Sequence, residues 1–93
     1  MIKVQFFTLL RLLIKKQFVD ITWEDGDNIF SILKKAERKI KIEFLFKLLD
    51  ENGQLKTGTI ILLNGTNIFH LERLDTPVND NDELALFPPG GGG

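Results

Sequence analysis

The chain has 93 residues, room for one domain around one core, because a unit of this size buries only part of its unfolded surface. A hydrophobic content of 43% with 27% charged residues excludes a disordered, charge-rich chain, and a formal net charge of −1 excludes a molecule that is basic as a whole. The lack of cysteine excludes disulfides, thiolate metal sites and cysteine nucleophiles, so any sulfur chemistry has to use another group.

Ile2 to Thr8 alternates Ile2, Val4 and Phe6 against Lys3, Gln5 and Phe7, the two-residue period of a half-buried strand. Phe7 then falls on the face opposite the core. The apolar start MIKVQFFTLLRLLI is broken by Lys3, Gln5 and Arg11, has no small-residue cleavage site and falls short of the roughly 20 apolar residues of a membrane span. It reads as a core strand of a cytoplasmic protein with no membrane partner. Gln17 to Trp23 is a second β-prone run, which predicts a hairpin with Leu9 to Lys16 as a wide loop.

Glu24-Asp25-Gly26-Asp27 is turn chemistry with Asp25 or Asp27 as the expected helix N-cap. Ile29, Leu33, Ala36 and Ile40 stand at i, i+4, i+7 and i+11 and predict a helix with one apolar stripe. Ile42, Leu45, Phe46 and Leu49 predict a second, brief helix that puts Phe46 in the core and stops before Asn52-Gly53. Thr59 to Leu63 is a strand with apolar groups on both faces, Asn64-Gly65 is a hairpin turn, and Thr66 to Leu71 is the returning strand. Asn64-Gly65-Thr66 is formally a glycosylation sequon, but without a secretion signal the turn is the simpler reading. A loop through Asp82 leads to the last strand, Glu83 to Phe87, and Pro88-Pro89 stops it because proline lacks the N–H a ladder needs. The order is an α+β arrangement, one mixed sheet of about five strands with helices on one face. Residues 1–87 form the domain and residues 88–93 a flexible tail.

The opening Met1-Ile2-Lys3-Val4 with Phe6-Phe7, the Asn64-Gly65 turn, the run Asp82-Glu83-Leu84-Ala85-Leu86-Phe87-Pro88-Pro89 and the final Gly92-Gly93 resemble the MoaD/ThiS family of ubiquitin-like sulfur carriers. Within it they are most similar to small subunits of molybdopterin synthase. The resemblance covers nearly the whole chain and implies a ubiquitin-like β-grasp fold. It also implies that the Gly93 carboxylate, presented by Gly92, is adenylated by an E1-like partner that uses ATP and magnesium, this chain itself binding no cofactor. The adenylate then becomes a thiocarboxylate, whose sulfur is delivered inside the large subunit of molybdopterin synthase, in a heterotetramer. Sulfur donation to thiamin synthesis or tRNA thiolation, and conjugation to a protein lysine, share the same tail chemistry and stay open.

A carboxylate is a poor acyl donor until its oxygen becomes a good leaving group, so an acyl adenylate has to precede sulfur transfer. The activated carbon must then reach two active sites. Pro88 to Gly93 extends roughly 20 Å at about 3.3–3.6 Å per residue. Glycines without Cβ can thread a narrow channel, and Pro88 and Pro89 stiffen the exit. Gly90 and Gly91 stand where relatives carry bulkier residues, so side-chain anchorage in a partner is lost there.

If the first and last strands are parallel neighbours, as in a β-grasp sheet, Phe7 and Phe87 lie side by side on the face away from the helices. Such a pair at the base of the tail reads as a docking patch, with Ile61 or Leu63 extending it. Arg11 matches an arginine common in the family and is expected to pair with an acidic partner residue. His70, in the returning strand beside Phe69, has no base, acid or metal partner spaced to it. Gly90 to Gly93 is not followed by a helix and is no phosphate loop. With neither a nucleophile-base pair nor a metal-ligand cluster, the expectation is a sulfur-donating subunit without an active site of its own. A rival reading is a nucleic-acid or regulatory module on the basic stretch 34–47, against which the acidic balance of the whole chain argues.

Overall fold

The structure, a computed structural model, describes residues 1–90. Strand β1 (Ile2–Phe6) buries Ile2, Val4 and Phe6 and turns Lys3 and Gln5 to the other face. It pairs antiparallel with β2 (Phe18–Ile21), Val4 opposite Val19 and Gln5 opposite Phe18. The segment between them is a helix, α1 (Leu9–Ile14), where a wide loop was expected. Its apolar run hides an i, i+4 pair, Leu10 and Ile14, and both are buried. Lys15 ends it in the left-handed conformation, its N–H donating to the Arg11 carbonyl at 2.8 Å.

Helix α2 (Ile29–Ile40) buries Ile29, Ile32, Leu33 and Ala36. Its cap is Asn28, one residue beyond the expected Asp25 or Asp27. The Asn28 side chain accepts from the Ser31 N–H at 2.8 Å, and the Ser31 hydroxyl accepts from the Asn28 N–H at 2.9 Å. Asp27 is buried for a different purpose: it accepts from the Glu24 N–H, the Ser31 hydroxyl and the Lys35 ammonium. Burial alone would raise its carboxyl, but the hydrogen bonds from Lys35, Glu24 and Ser31 outweigh that and hold it below the ordinary carboxylate value.

The expected second helix is a single 3-10 turn, Leu45–Lys47. Three residues per turn instead of 3.6 put Phe44, Leu45 and Leu48 inside and leave Phe46 54% exposed, which corrects its assignment to the core. Glu37 fixes this turn by accepting the N–H groups of Phe44 and Leu45 at 2.8 and 2.9 Å. Phe44 meets Phe6 edge-on, ring centroids 5.5 Å apart.

Strand β3 (Ile60–Leu63) returns through Asn64 and Gly65, both at positive φ, into β4 (Thr66–Asn67). The returning strand is shorter than expected. The Asn67 side chain accepts from the Phe69 N–H and turns the chain into a 3-10 segment, Ile68–His70, which buries Ile68 and leaves His70 exposed rather than in a strand. Strand β5 (Glu83–Phe87) completes the sheet in the order β2-β1-β5-β3-β4, with β1 and β5 parallel and the other neighbours antiparallel. The sheet's inner face and α2 enclose one core. This is the α+β, ubiquitin-like β-grasp arrangement. Among the described residues no helix is long and apolar enough to cross a membrane.

Candidate functional site

The parallel pairing of β1 and β5 brings the ends of both strands to one edge of the molecule. The Phe7 N–H donates to the Leu86 carbonyl at 3.1 Å, which sets Phe7 beside Phe87. Their rings stack at 4.6 Å between centroids with 9° between planes, both half-buried on the face opposite the core. Antiparallel pairing then places Ile60 opposite Phe87 and Leu62 opposite Ala85. The patch is therefore Phe7, Phe87, Ile60 and Leu62. Ile61 and Leu63, expected to extend it, sit opposite Leu86 and Leu84 on the core side, and Ile61 is 1% exposed. The two-residue period fixes each strand's faces, but the register between β3 and β5 decides which face meets Phe87.

Helix α1 presents Arg11 to the same edge. Its Nε donates to the Phe6 carbonyl at 3.1 Å and its guanidinium lies 5.2 Å from the centre of the Phe7 ring. Pro88 is buried and Pro89 half-buried, so the first two residues of the expected tail are seated on the domain. Pro89 rests against Gly58, whose φ of +92° favours glycine. Both prolines line a cleft of about 220 Å³ together with Leu9, Leu10, Lys47 and Lys56. The Lys56 N–H and the Thr59 hydroxyl both donate to the Leu48 carbonyl, which ties the loop carrying Lys56 to the turn carrying Lys47. Gly90 is exposed with open space around it. Gly91, Gly92 and Gly93 lie outside the described residues. Four residues follow Pro89, a reach of at most roughly 14 Å.

Half of the basic residues of the stretch 34–47 are bonded within the molecule. Lys35 reaches Asp27 at 2.7 Å and the Thr22 carbonyl, Lys39 the Asp20 carbonyl, and Lys34 is 3.7 Å from Glu37. Lys47 belongs instead to the cleft beside the prolines. His70 meets only the edge of Phe69 among aromatic neighbours, at 6.2 Å.

A β-grasp sheet with an apolar patch and a proline-braced exit at the ends of its parallel strands defines the class of ubiquitin-like sulfur carriers. The ThiS family matches residues 4–93, and the chain belongs to it. The chain is similar to small archaeal modifier protein 3 of Haloferax volcanii, 26% identical over 92 residues that make up 99% of this chain and 98% of that protein. The solution structure of small archaeal modifier protein 1 from Methanosarcina acetivorans superposes with a TM-score of 0.77 at 30% identity, covering 99% of this chain and 95% of that one. A chain of the Amycolatopsis orientalis BexX/CysO complex shares the fold at a TM-score of 0.80 and 20% identity, with both chains covered in full.

Proposed function

We propose that Gly93 is the reacting residue and that the chain carries sulfur as a terminal thiocarboxylate. The carboxylate oxygen attacks the α-phosphorus of ATP on an E1-like enzyme, with magnesium, and pyrophosphate leaves. Hydrosulfide then attacks the acyl carbon, the carbon–oxygen bond to AMP breaks as the carbon–sulfur bond forms, and loss of the sulfur's proton leaves the thiocarboxylate. The single observation that supports this is the joint position of the stacked Phe7–Phe87 pair and the seated Pro88-Pro89 at the root of a run of glycines. A partner that holds the aromatic patch would meet the glycine run at a fixed point. In this reading Phe7, Phe87 and Arg11 dock the partner, Pro88 and Pro89 set the exit, and Gly90, Gly91 and Gly92 thread the channel to Gly93.

The sulfur acceptor we propose is the molybdopterin precursor, with this chain as the small subunit of molybdopterin synthase bound to a large subunit. The Phe87-Pro88-Pro89 junction and the opening strand support that role. A second reading, a protein modifier joined through Gly93 to a lysine by an isopeptide bond, is favoured by the similarity to an archaeal modifier over nearly the full length of both chains.

Deleting Gly93 is expected to leave the melting temperature unchanged and to abolish ATP–pyrophosphate exchange with the activating enzyme. Normal exchange by the truncated chain would show that the carboxylate of Gly93 is not the reacting group. Supplying the thiocarboxylated chain with a molybdopterin synthase large subunit and precursor, and separately the unmodified chain with ATP, magnesium, the activating enzyme and lysine-bearing proteins, separates dithiolene formation from conjugation.

A further inference from the structure

The exit of the glycine run has two flanks, and the sheet patch occupies only one. On the other lies the cleft of Leu9, Leu10, Lys47, Lys56, Pro88 and Pro89, which has no carboxylate among its lining residues. Neither Lys47 nor Lys56 forms an ion pair among the described residues. The Lys47 ammonium lies instead 5.4 Å from the centre of the exposed Phe46 ring. Asp50 and Glu51 border a neighbouring hollow that also touches Lys56 and pair with neither lysine. Lys34, Lys35 and Lys39 of the stretch 34–47 are answered within the molecule; Lys47 and Lys56, which line the cleft at the tail exit, have no such partner among the described residues. Positive charge that meets no carboxylate among the described residues, beside an apolar, proline-stiffened cleft, fits a negatively charged partner surface, because complementary charge steers docking and fixes its register.

We infer that the activating partner grips the exit on both flanks, with an acidic segment lying in the Lys47–Lys56 cleft while its apolar surface covers Phe7 and Phe87. This rests on the proposed activation of Gly93. Both lysines are exposed, so their replacement leaves the core intact.

The test is ATP–pyrophosphate exchange, with magnesium, catalysed by an E1-like enzyme that adenylates the wild-type chain, with the carrier as varied substrate. The double variant Lys47→Glu/Lys56→Glu is expected to raise KM about tenfold or more with kcat within about twofold. Lys47→Arg/Lys56→Arg is expected to keep the wild-type KM. Added salt is expected to raise KM for wild type and to lower it for the double-glutamate variant, as attraction and repulsion are screened. An unchanged KM in the double-glutamate variant, alongside normal wild-type turnover, would overturn this proposal alone. A wild-type chain that no activating enzyme adenylates would overturn the reading beneath it as well.

Discussion

Phe7 is an aromatic residue on the outward parity of a strand, and its partner Phe87 lies 80 residues away in sequence, from 7 to 87. Their stacked contact is half-buried, so its contribution to folding is modest, and the proposed function assigns the pair to docking. Replacing both by serine is expected to cost no more than about 2 kcal/mol of stability. The same change should weaken capture by an activating partner at least about tenfold, read by pull-down or KM. A loss of folding larger than the loss of binding would assign the pair to the core. Asp27 makes the opposite case, a polar group whose work is structural. Because its folded carboxyl is held below the ordinary value, its stabilisation is present above the unfolded value of about 3.9 and is lost as pH falls through the lower folded value. Asp27→Asn is therefore expected to lose about 1–3 kcal/mol at pH 7. The gap to wild type should narrow below about pH 4 in denaturant titrations. An equal gap at pH 7 and pH 3 would show that charge on Asp27 does not matter.

At the scale of elements, the segment from Phe44 to Leu49 separates two periodicities that look alike over a few residues. Phe44→Ala is expected to cost about 3–5 kcal/mol because the ring is buried against Phe6. Phe46→Ala is expected to stay within about 0.5 kcal/mol. Equal losses in thermal melts would contradict the 3-10 turn. The long, regular elements were legible: the alternation in β1, the apolar stripe of α2 and the Asn64-Gly65 turn each dictate their structure locally. Helix α1 was not, because LLRLLI has apolar residues at nearly every position and only Leu10 and Ile14 are needed inside. The short β4 was not, because the Asn67 side chain, accepting from the Phe69 N–H, competes with the ladder after two residues. The Asn28 cap lost to Asp27 in the sequence because both residue types cap well, and only the Ser31 reciprocal bond decides between them.

For the whole molecule, the residues that make the candidate site are brought together by one topological fact, the parallel pairing of the first and last strands. The aromatic pair was legible once that pairing was assumed. Ile60, Leu62, Lys47 and Lys56 were not, because inter-strand register and the packing of a loop on a turn are tertiary facts that one sequence does not encode locally. Pro88 and Pro89 are seated on the domain, so in the proposed mechanism the reaching arm starts at Gly90 rather than at Pro88.

The most direct test of the sulfur-carrier mechanism is intact-protein mass spectrometry after incubation with ATP, magnesium, an E1-like activating enzyme and a sulfide source. The account predicts a mass increase equal to one oxygen replaced by sulfur, mapped by fragmentation to Gly93. An unchanged mass with a panel of enzymes that thiocarboxylate other carriers would contradict it.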